Sequence, residues 1–494
     1  MALLHQEMNS KRIAPDGQLV ILARSLRTFG YGFTSVLLGV MLADAGAPAV
    51  QIGILLAVAA LGSITCSLVM GMYADRLGRK RLLVVWAILM MNTGFVFAFT
   101  QYYPLLLIAA FCGTLSPSTN DNTPFSSVEQ AILAQTSSTE RHTTVFAFYN
   151  LAAQLAGAVG GLVVGLPEVL SSFGIDTTIS IHTLFAFYGL LAGGTALLFL
   201  FLSPAAELQK PKERLRGSTH NEYLYKVNDA SIQKSCQQPQ KPKIHGVILK
   251  LSSLFAIDAF AGGLAVQTLL AVWFRQRFGV SLGLLGVLFF GVNLLAALSF
   301  LAAPHLTRRI GLLKTMIIPH SVSNVFLLLV PLMPAFPLAA AFLLMRQSLS
   351  KLDVPARQVY AMALVPPEEH TSAAAFTTAA RSVAASVSPL VSGLMLSGPL
   401  LMFGLPILLA SCIGIGYDVT LWGTFRHVPL HISYKKGKEF SPQFKHLHFP
   451  RRAASVAYRP MYFSQGGTTY GEFQYSDFPR EPVSTQFKHL HFPR

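Results

Sequence analysis

Long runs of apolar residues, each near the roughly 20 residues needed to cross a hydrocarbon core, recur from about residue 18 to residue 424. In lipid, every backbone N–H and C=O must be satisfied within the chain, so runs of this length point to spanning helices. Composition agrees. Only 12% of the 494 residues are charged and the mean hydropathy is +0.50, whereas soluble domains carry about 25% charged residues. Twelve spans are expected, at approximately 18–43, 51–74, 82–100, 104–136, 145–166, 182–202, 246–271, 282–303, 315–333, 337–363, 373–395 and 401–424. Span 4 is too long for one straight helix. Pro117 and Pro124 flank the polar stretch Ser118-Thr119-Asn120-Asp121-Asn122 there, which predicts a broken helix.

The chain is an all-α polytopic membrane protein on this reading, with both termini on one side. A net charge of +16 does not signal nucleic-acid binding, because the cations fall in alternate loops and a tail rather than on one face. The loops after spans 2, 4, 6, 8 and 10 and both termini hold nearly all the non-membrane Lys and Arg, and the other loops hold only Arg275 and Arg277. The positive-inside rule then makes both termini cytoplasmic. The plasma membrane is the expected location and a monomer the expected state. Domain boundaries follow: a cytoplasmic N-terminus at 1–17, a first six-helix half at 18–202, a polar linker at 203–245, a second half at 246–425, and a basic tail at 426–494. Within the tail, Gln443 to Arg451 (QFKHLHFPR) recurs letter for letter at Gln486 to Arg494, which reads as a recent duplication in a disordered segment.

The halves repeat. Glu129-Gln130 and Arg357-Gln358 share an offset of 228, as do Glu140/Glu368, His142/His370 and Thr143/Thr371, while Gly46/Gly279, Gly53/Gly286 and Gly78/Gly311 share an offset of 233. Two registers in the same span order indicate duplication with a small insertion or deletion between them.

Between spans 2 and 3 the chain reads Gly71-Met72-Tyr73-Ala74-Asp75-Arg76-Leu77-Gly78-Arg79-Lys80-Arg81. It resembles the loop between helices 2 and 3 of the major facilitator superfamily of secondary transporters, G-x-x-x-D-R-x-G-R-R/K, at every fixed position. The second-half copy, Thr307-Arg308-Arg309-Ile310-Gly311, lacks the aspartate. The resemblance spans roughly residues 15–426 and implies alternating access, with helices 1, 4, 7 and 10 lining a central cavity. It makes Gly71, Asp75, Arg76, Gly78, Arg79 and Lys80 a conformational latch: Asp75 facing the N-terminal end of helix 11 near Ser372, and the cations reaching acids such as Glu140.

Charges inside spans are costly and mark function. Those identified are Arg24 and Arg27 in span 1, Glu129 in span 4, Asp258 in span 7, Arg346, Lys351, Asp353 and Arg357 in span 10, and Arg381 in span 11. With Gln130 and Gln358, all but Lys351 and Arg381 are the candidate cavity and coupling residues. Arg346, Ser350, Asp353 and Arg357 step by helical spacing along one face, with Pro355 expected to kink the helix between the last two. Glu129 and Arg357, equivalent in position and opposite in sign, are expected to face each other across the cavity. Asp258 is expected opposite the span 1 arginines, and Arg381 apart. Gly157, Gly161 and Gly165 in span 5 form a small-x-x-x-small packing row that faintly resembles the helix 5 pattern of drug:proton antiporters without its proline.

Four cysteines without metal-ligand spacing give no disulfide framework or metal site. No P-loop, G-x-S-x-G or HExxH occurs, so an enzyme or ATP-driven pump is not expected, nor any cofactor. The expected function is proton-coupled export of a small organic molecule. Proton-coupled uptake of a metabolite is one alternative, and a non-transporting sensor or scaffold signalling through the tail is another.

Overall fold

The structure is a computed structural model that describes residues 14–113, 115–116, 124–136, 142–207, 243–364, 370–396 and 404–426. The expectations for the 208–242 part of the linker, the 427–494 tail, the Ser118–Asn122 stretch and Glu140 lie outside the described residues, as do the side chains of Gly71, Asp75 and Arg76.

All regular structure among the described residues is helical. The first half comprises α1 (Pro15–Asp44), α2 (Ala49–Leu77), α3 (Arg79–Phe99), α4 (Tyr103–Cys112), α5 (Phe125–Thr136), α6 (His142–Leu162), the short α7 (Leu166–Ser171) and α8 (Thr177–Leu200). The second comprises α9 (Lys243–Leu264), α10 (Gln267–Phe278), α11 (Leu282–Ile310), α12 (Leu312–Leu329), α13 (Phe336–Leu349), α14 (Asp353–Ala363), α15 (His370–Met395) and α16 (Leu405–Phe425). Nine helical segments among the described residues are long and apolar enough to cross a membrane. The rest of the expected spans are carried by the short helices α4, α5, α13 and α14 and by α15, whose Ser/Thr/Ala-rich sequence is less apolar.

Spans 4, 7 and 10 are broken. Span 7 breaks at Ala265-Val266, where Ser392 Oγ on α15 donates to the freed carbonyl of Leu264 at 2.9 Å. Span 10 was expected to kink at Pro355, but it breaks earlier, at Ser350-Lys351-Leu352, so Asp353 opens a new helix. Pro355 then sits in the first turn of α14, where its missing N–H has no partner to lose and no carbonyl four residues back to clash with. The acid at the head of α14 is favourable to the helix dipole.

The internal repeat is visible in backbone conformation. Gly46 and Gly279 turn the chain at φ 81° and 63°, and Gly78 and Gly311 at φ 97° and 86°, in a region that side chains rarely adopt. Each pair is one of the sequence-matched glycine pairs, so the same two turns are built twice. α3 begins immediately after Gly78, and its N-terminal amides of Arg79 and Lys80 donate to the two carboxylate oxygens of Glu207 at 2.7 and 3.1 Å.

α1 packs on α6 and α8, and α9 packs on α15 and α16. Two symmetry-equivalent seams join the halves: α2 against α15, and α6 against α11. In the first, a Cβ at Gly53 would lie 2.6 Å from the Pro389 carbonyl oxygen, and one at Gly393 would lie 2.6 Å from that of Ala49. In the second, a Cβ at Gly286 would lie 3.0 Å from the Gly161 carbonyl oxygen, and one at Gly165 would lie 3.0 Å from Gly283 Cα. Of the span 5 row, Gly161 and Gly165 therefore seat α11, while Gly157 packs against Gly32 of α1.

Both seams lie toward the end of the bundle where α1 gives way to α2, hereafter the far end. Hydrogen bonds reinforce it. Gln267 and Thr268 reach Ser35, Glu168 accepts the Gly283 amide at 2.7 Å, and Arg275 pairs with Asp44 at 3.0 Å. The main hydrophobic core runs through both halves, whereas a smaller core of α9, α12, α14 and α16, including Phe255, Tyr360 and Tyr417, belongs to the second half alone.

Candidate functional site

Each half holds a buried charge cluster. In the first, Arg27 on α1 forms a two-pronged pair with Glu129 on α5, at 2.7 and 3.0 Å, and both side chains are 0% exposed. Tyr149 on α6 donates a further hydrogen bond to Glu129 at 2.8 Å. The Arg27 guanidinium lies 4.2 Å from the centre of the Phe125 ring, and Arg24, one turn earlier, lies 4.0 Å from that of Tyr149. Because both side chains are fully buried, the fork geometry and these extra contacts are needed to offset the desolvation that would otherwise make the pair unfavourable.

In the second half, Asp258 on α9 takes hydrogen bonds from Arg357 on α14 at 2.6 Å and Arg381 on α15 at 3.1 Å, and lies 3.2 Å from His320 Nε2 on α12. Arg357 also pairs with Asp353 one turn back on α14. The other ring nitrogen of His320, Nδ1, lies 2.8 Å from Asp418 on α16, which also accepts from Ser321 at 2.9 Å. His320 thus bridges two carboxylates. Both bridges are donated only when the imidazole is protonated. When it is neutral, one nitrogen lacks a proton to give its carboxylate.

The expected meeting of Glu129 and Arg357 is not what the structure shows. Each is neutralised inside its own half, by the helix that stands first in that half: Glu129 by Arg27 of α1, and Arg357 by Asp258 of α9. The two halves therefore contain the same ion pair with its charges exchanged. Asp258 correspondingly sits with Arg357 rather than opposite the α1 arginines, and Arg381, expected apart, is one of its donors. Gln130 and Gln358, next in sequence to the paired residues, are exposed. Arg346 is half-buried on α13 and donates to Gln347.

Arg79 reaches Gln135 at 2.8 Å and Lys80 reaches the Leu202 carbonyl at 2.9 Å, so these two loop cations bind within the first half. His320, Asp418 and Tyr149 were not singled out from sequence. The rule that selected the other charges, an ionisable group inside an apolar span, applies equally to Asp418 in span 12 and His320 in span 9. Tyr149 carries no such mark.

The major facilitator superfamily profile matches residues 20–389. The uncharacterized membrane protein YJR124C of Saccharomyces cerevisiae is 26% identical over 382 residues, 75% of this chain and 85% of that protein. A D-xylose–proton symporter superposes with a TM-score of 0.63 at 15% identity, covering 82% of this chain and 96% of its own. An inward-open structure of the xylose transporter XylE from E. coli gives 0.61 at 16% identity, covering 85% and 97%. These solved structures share the fold. The chain belongs to the major facilitator superfamily of transporters.

Proposed function

We propose that the protein is a secondary active transporter that moves a small organic molecule by alternating access, coupled to protons, in the direction of export. The observation that carries this reading is the pair of charge-exchanged clusters, Arg27–Glu129 and Asp258–Arg357, buried at equivalent places in two halves. A static scaffold gains little from dehydrated charges, since well-packed apolar residues would serve as well or better. A protein that rocks between two packings can use them, because protonating a carboxylate frees its arginine and shifts the balance between states.

The far-end seams support the rocking mechanism. Backbone closeness at Gly53–Gly393 and Gly161–Gly286 joins flat surfaces without interlocking side chains, so the contact can part and re-form. The His320 bridge supplies a place to hold the proton. Losing it removes one of the two donated bonds to Asp258 and Asp418, which loosens α12 from α9 and α16. With the far end closed, Arg79 and Lys80 hold contacts within the first half, and the latch would engage across the halves in the opposite state. The direction of export follows the faint antiporter-like pattern of span 5.

The test is a metabolite comparison, inside against outside, between cells with and without the gene, followed by flux of the solute so identified in proteoliposomes. A solute that accumulates inside when the gene is removed supports export. One depleted inside reverses the direction, and an unchanged metabolite profile together with no proteoliposome flux defeats the transporter reading.

A further inference from the structure

We infer that the site beside the break between α13 and α14 receives an organic oxyanion, a small carboxylate or phosphate ester, through Arg346 and Lys351. This names the substrate class of the transport site proposed above and rests on that proposal. In the second half, the buried and half-buried cluster contains four permanent cations, Arg346, Lys351, Arg357 and Arg381, against three carboxylates. The carboxylates are committed: Asp258 to Arg357, Arg381 and His320, Asp353 to Arg357, and Asp418 to His320 and Ser321.

Arg346 is left with one hydrogen bond, from Nη1 to the Gln347 side chain at 3.0 Å. Its Nε is buried without an acceptor, and it forms no ion pair among the described residues. A guanidinium offers five donors in a planar fork, so most of this one is unanswered. Lys351 likewise forms no ion pair among the described residues, and its backbone amide donates to Ser299 Oγ at 3.3 Å. The two cations lie on either side of the break.

Arg346 does not point into lipid. It follows Ala339 and Leu343 at helical spacing on the buried side of α13, while Leu338 and Met345, exposed 49% and 47%, mark the other side. Its carbonyl accepts from Ser323 of α12, which fixes this rotation of the helix. An unpaired cation in a low-dielectric interior is costly, and an anion seated between Arg346 and Lys351 removes that cost. The planar fork of Arg346 fits the two oxygens of a carboxylate or phosphate, and Lys351 adds a movable point charge.

The experiment is thermal unfolding of the full-length protein in detergent, at constant ionic strength, with succinate, glucose 6-phosphate, glucose or choline chloride. We expect succinate or glucose 6-phosphate to raise the midpoint, the two arms separating carboxylate from phosphate, while glucose and choline leave it unmoved. Arg346→Gln and Lys351→Gln should each weaken the apparent anion affinity at least tenfold, and Lys351→Gln keeps the test decisive if the other variant does not fold. The inference is overturned if neither anion shifts the wild type, if glucose or choline shifts it equally, or if the variants that fold keep wild-type affinity. Failure of the transport reading looks different: the anion binds and Lys351→Gln weakens it, but the labelled anion does not cross proteoliposome membranes. Flux of a neutral or cationic solute that is indifferent to Arg346→Gln and Lys351→Gln would retain transport and discard the anion.

Discussion

Glu129 on α5 and Arg357 on α14 occupy matching positions in the two halves, carry opposite charges, and are each paired with the first helix of their own half. The duplication has kept the placement of an ion pair while exchanging its signs.

The first prediction concerns the cost of breaking such a pair. Glu129→Gln leaves Arg27 buried beside a neutral amide, and removing one partner of a buried pair costs about 3–5 kcal/mol. The double variant Arg27→Met with Glu129→Leu removes both charges and should recover most of that loss. Unfolding midpoints of the detergent-solubilised protein check this. A single variant as stable as wild type would mean that the pair is not dehydrated.

Replacing Gly53 by valine should hold the far end open. Its Cβ would meet the Pro389 carbonyl at 2.6 Å, and overpacking of this kind costs about 1–3 kcal/mol. At about 1.4 kcal/mol per factor of ten, the ratio of far-end-closed to far-end-open protein falls by a factor between roughly 5 and roughly 140. A cysteine at Thr268, which is buried against Ser35, should then react correspondingly faster with an impermeant maleimide. Gly262→Ala, where a Cβ meets nothing within 4 Å, is the control. Equal reactivity of Gly53→Val and the control would remove the seam from the mechanism.

The His320 bridge predicts a pH effect. Asp258, Asp418, Asn324 and the Tyr417 ring surround the imidazole, Ser321 holds Asp418, and Arg357 and Arg381 donate to Asp258. His320→Gln keeps a side chain able to donate a hydrogen bond but cannot take up a proton. Substrate flux should lose its dependence on an imposed pH gradient, because the substituted side chain has no proton to take up or release, while exchange without a gradient continues. A His320→Gln profile that follows wild type would place the proton elsewhere.

Much of this was legible in the sequence. The matched glycines at 46/279 and 78/311 showed the repeat, and the structure gives the reason they match: each takes a positive φ that few other residues adopt. The break in span 4 was legible from its prolines, but the break in span 10 was not placed correctly. Pro355 is compatible with the first turn of a helix as well as with a kink, and only tertiary contacts choose between them. The buried charges were found by their cost in lipid, yet their pairing was not. Equivalent positions invite the guess that Glu129 and Arg357 meet, but each half folds around its own first helix and supplies the counter-ion there. Arg381 appeared isolated because its partner Asp258 lies 123 residues away.

For the loop before α3, the latch proposal predicts that Asp75→Asn slows turnover and shifts the protein toward the state open on the side of the termini. Glu207 already holds the amides of Arg79 and Lys80, so the change should leave the unfolding midpoint nearly unmoved. Cysteine accessibility at both ends, measured beside the transport rate, decides it. Unchanged accessibility and turnover would reduce the loop to a solvated turn.

Carboxylate-coupled transport is measured most directly as uphill movement of the identified solute in proteoliposomes under an imposed pH gradient. Wild type should concentrate the solute until a protonophore collapses the gradient, and the combined variant Glu129→Gln, Asp258→Asn, Asp353→Asn should lose the uphill component. Uphill movement that survives in the triple variant would contradict coupling through these carboxylates.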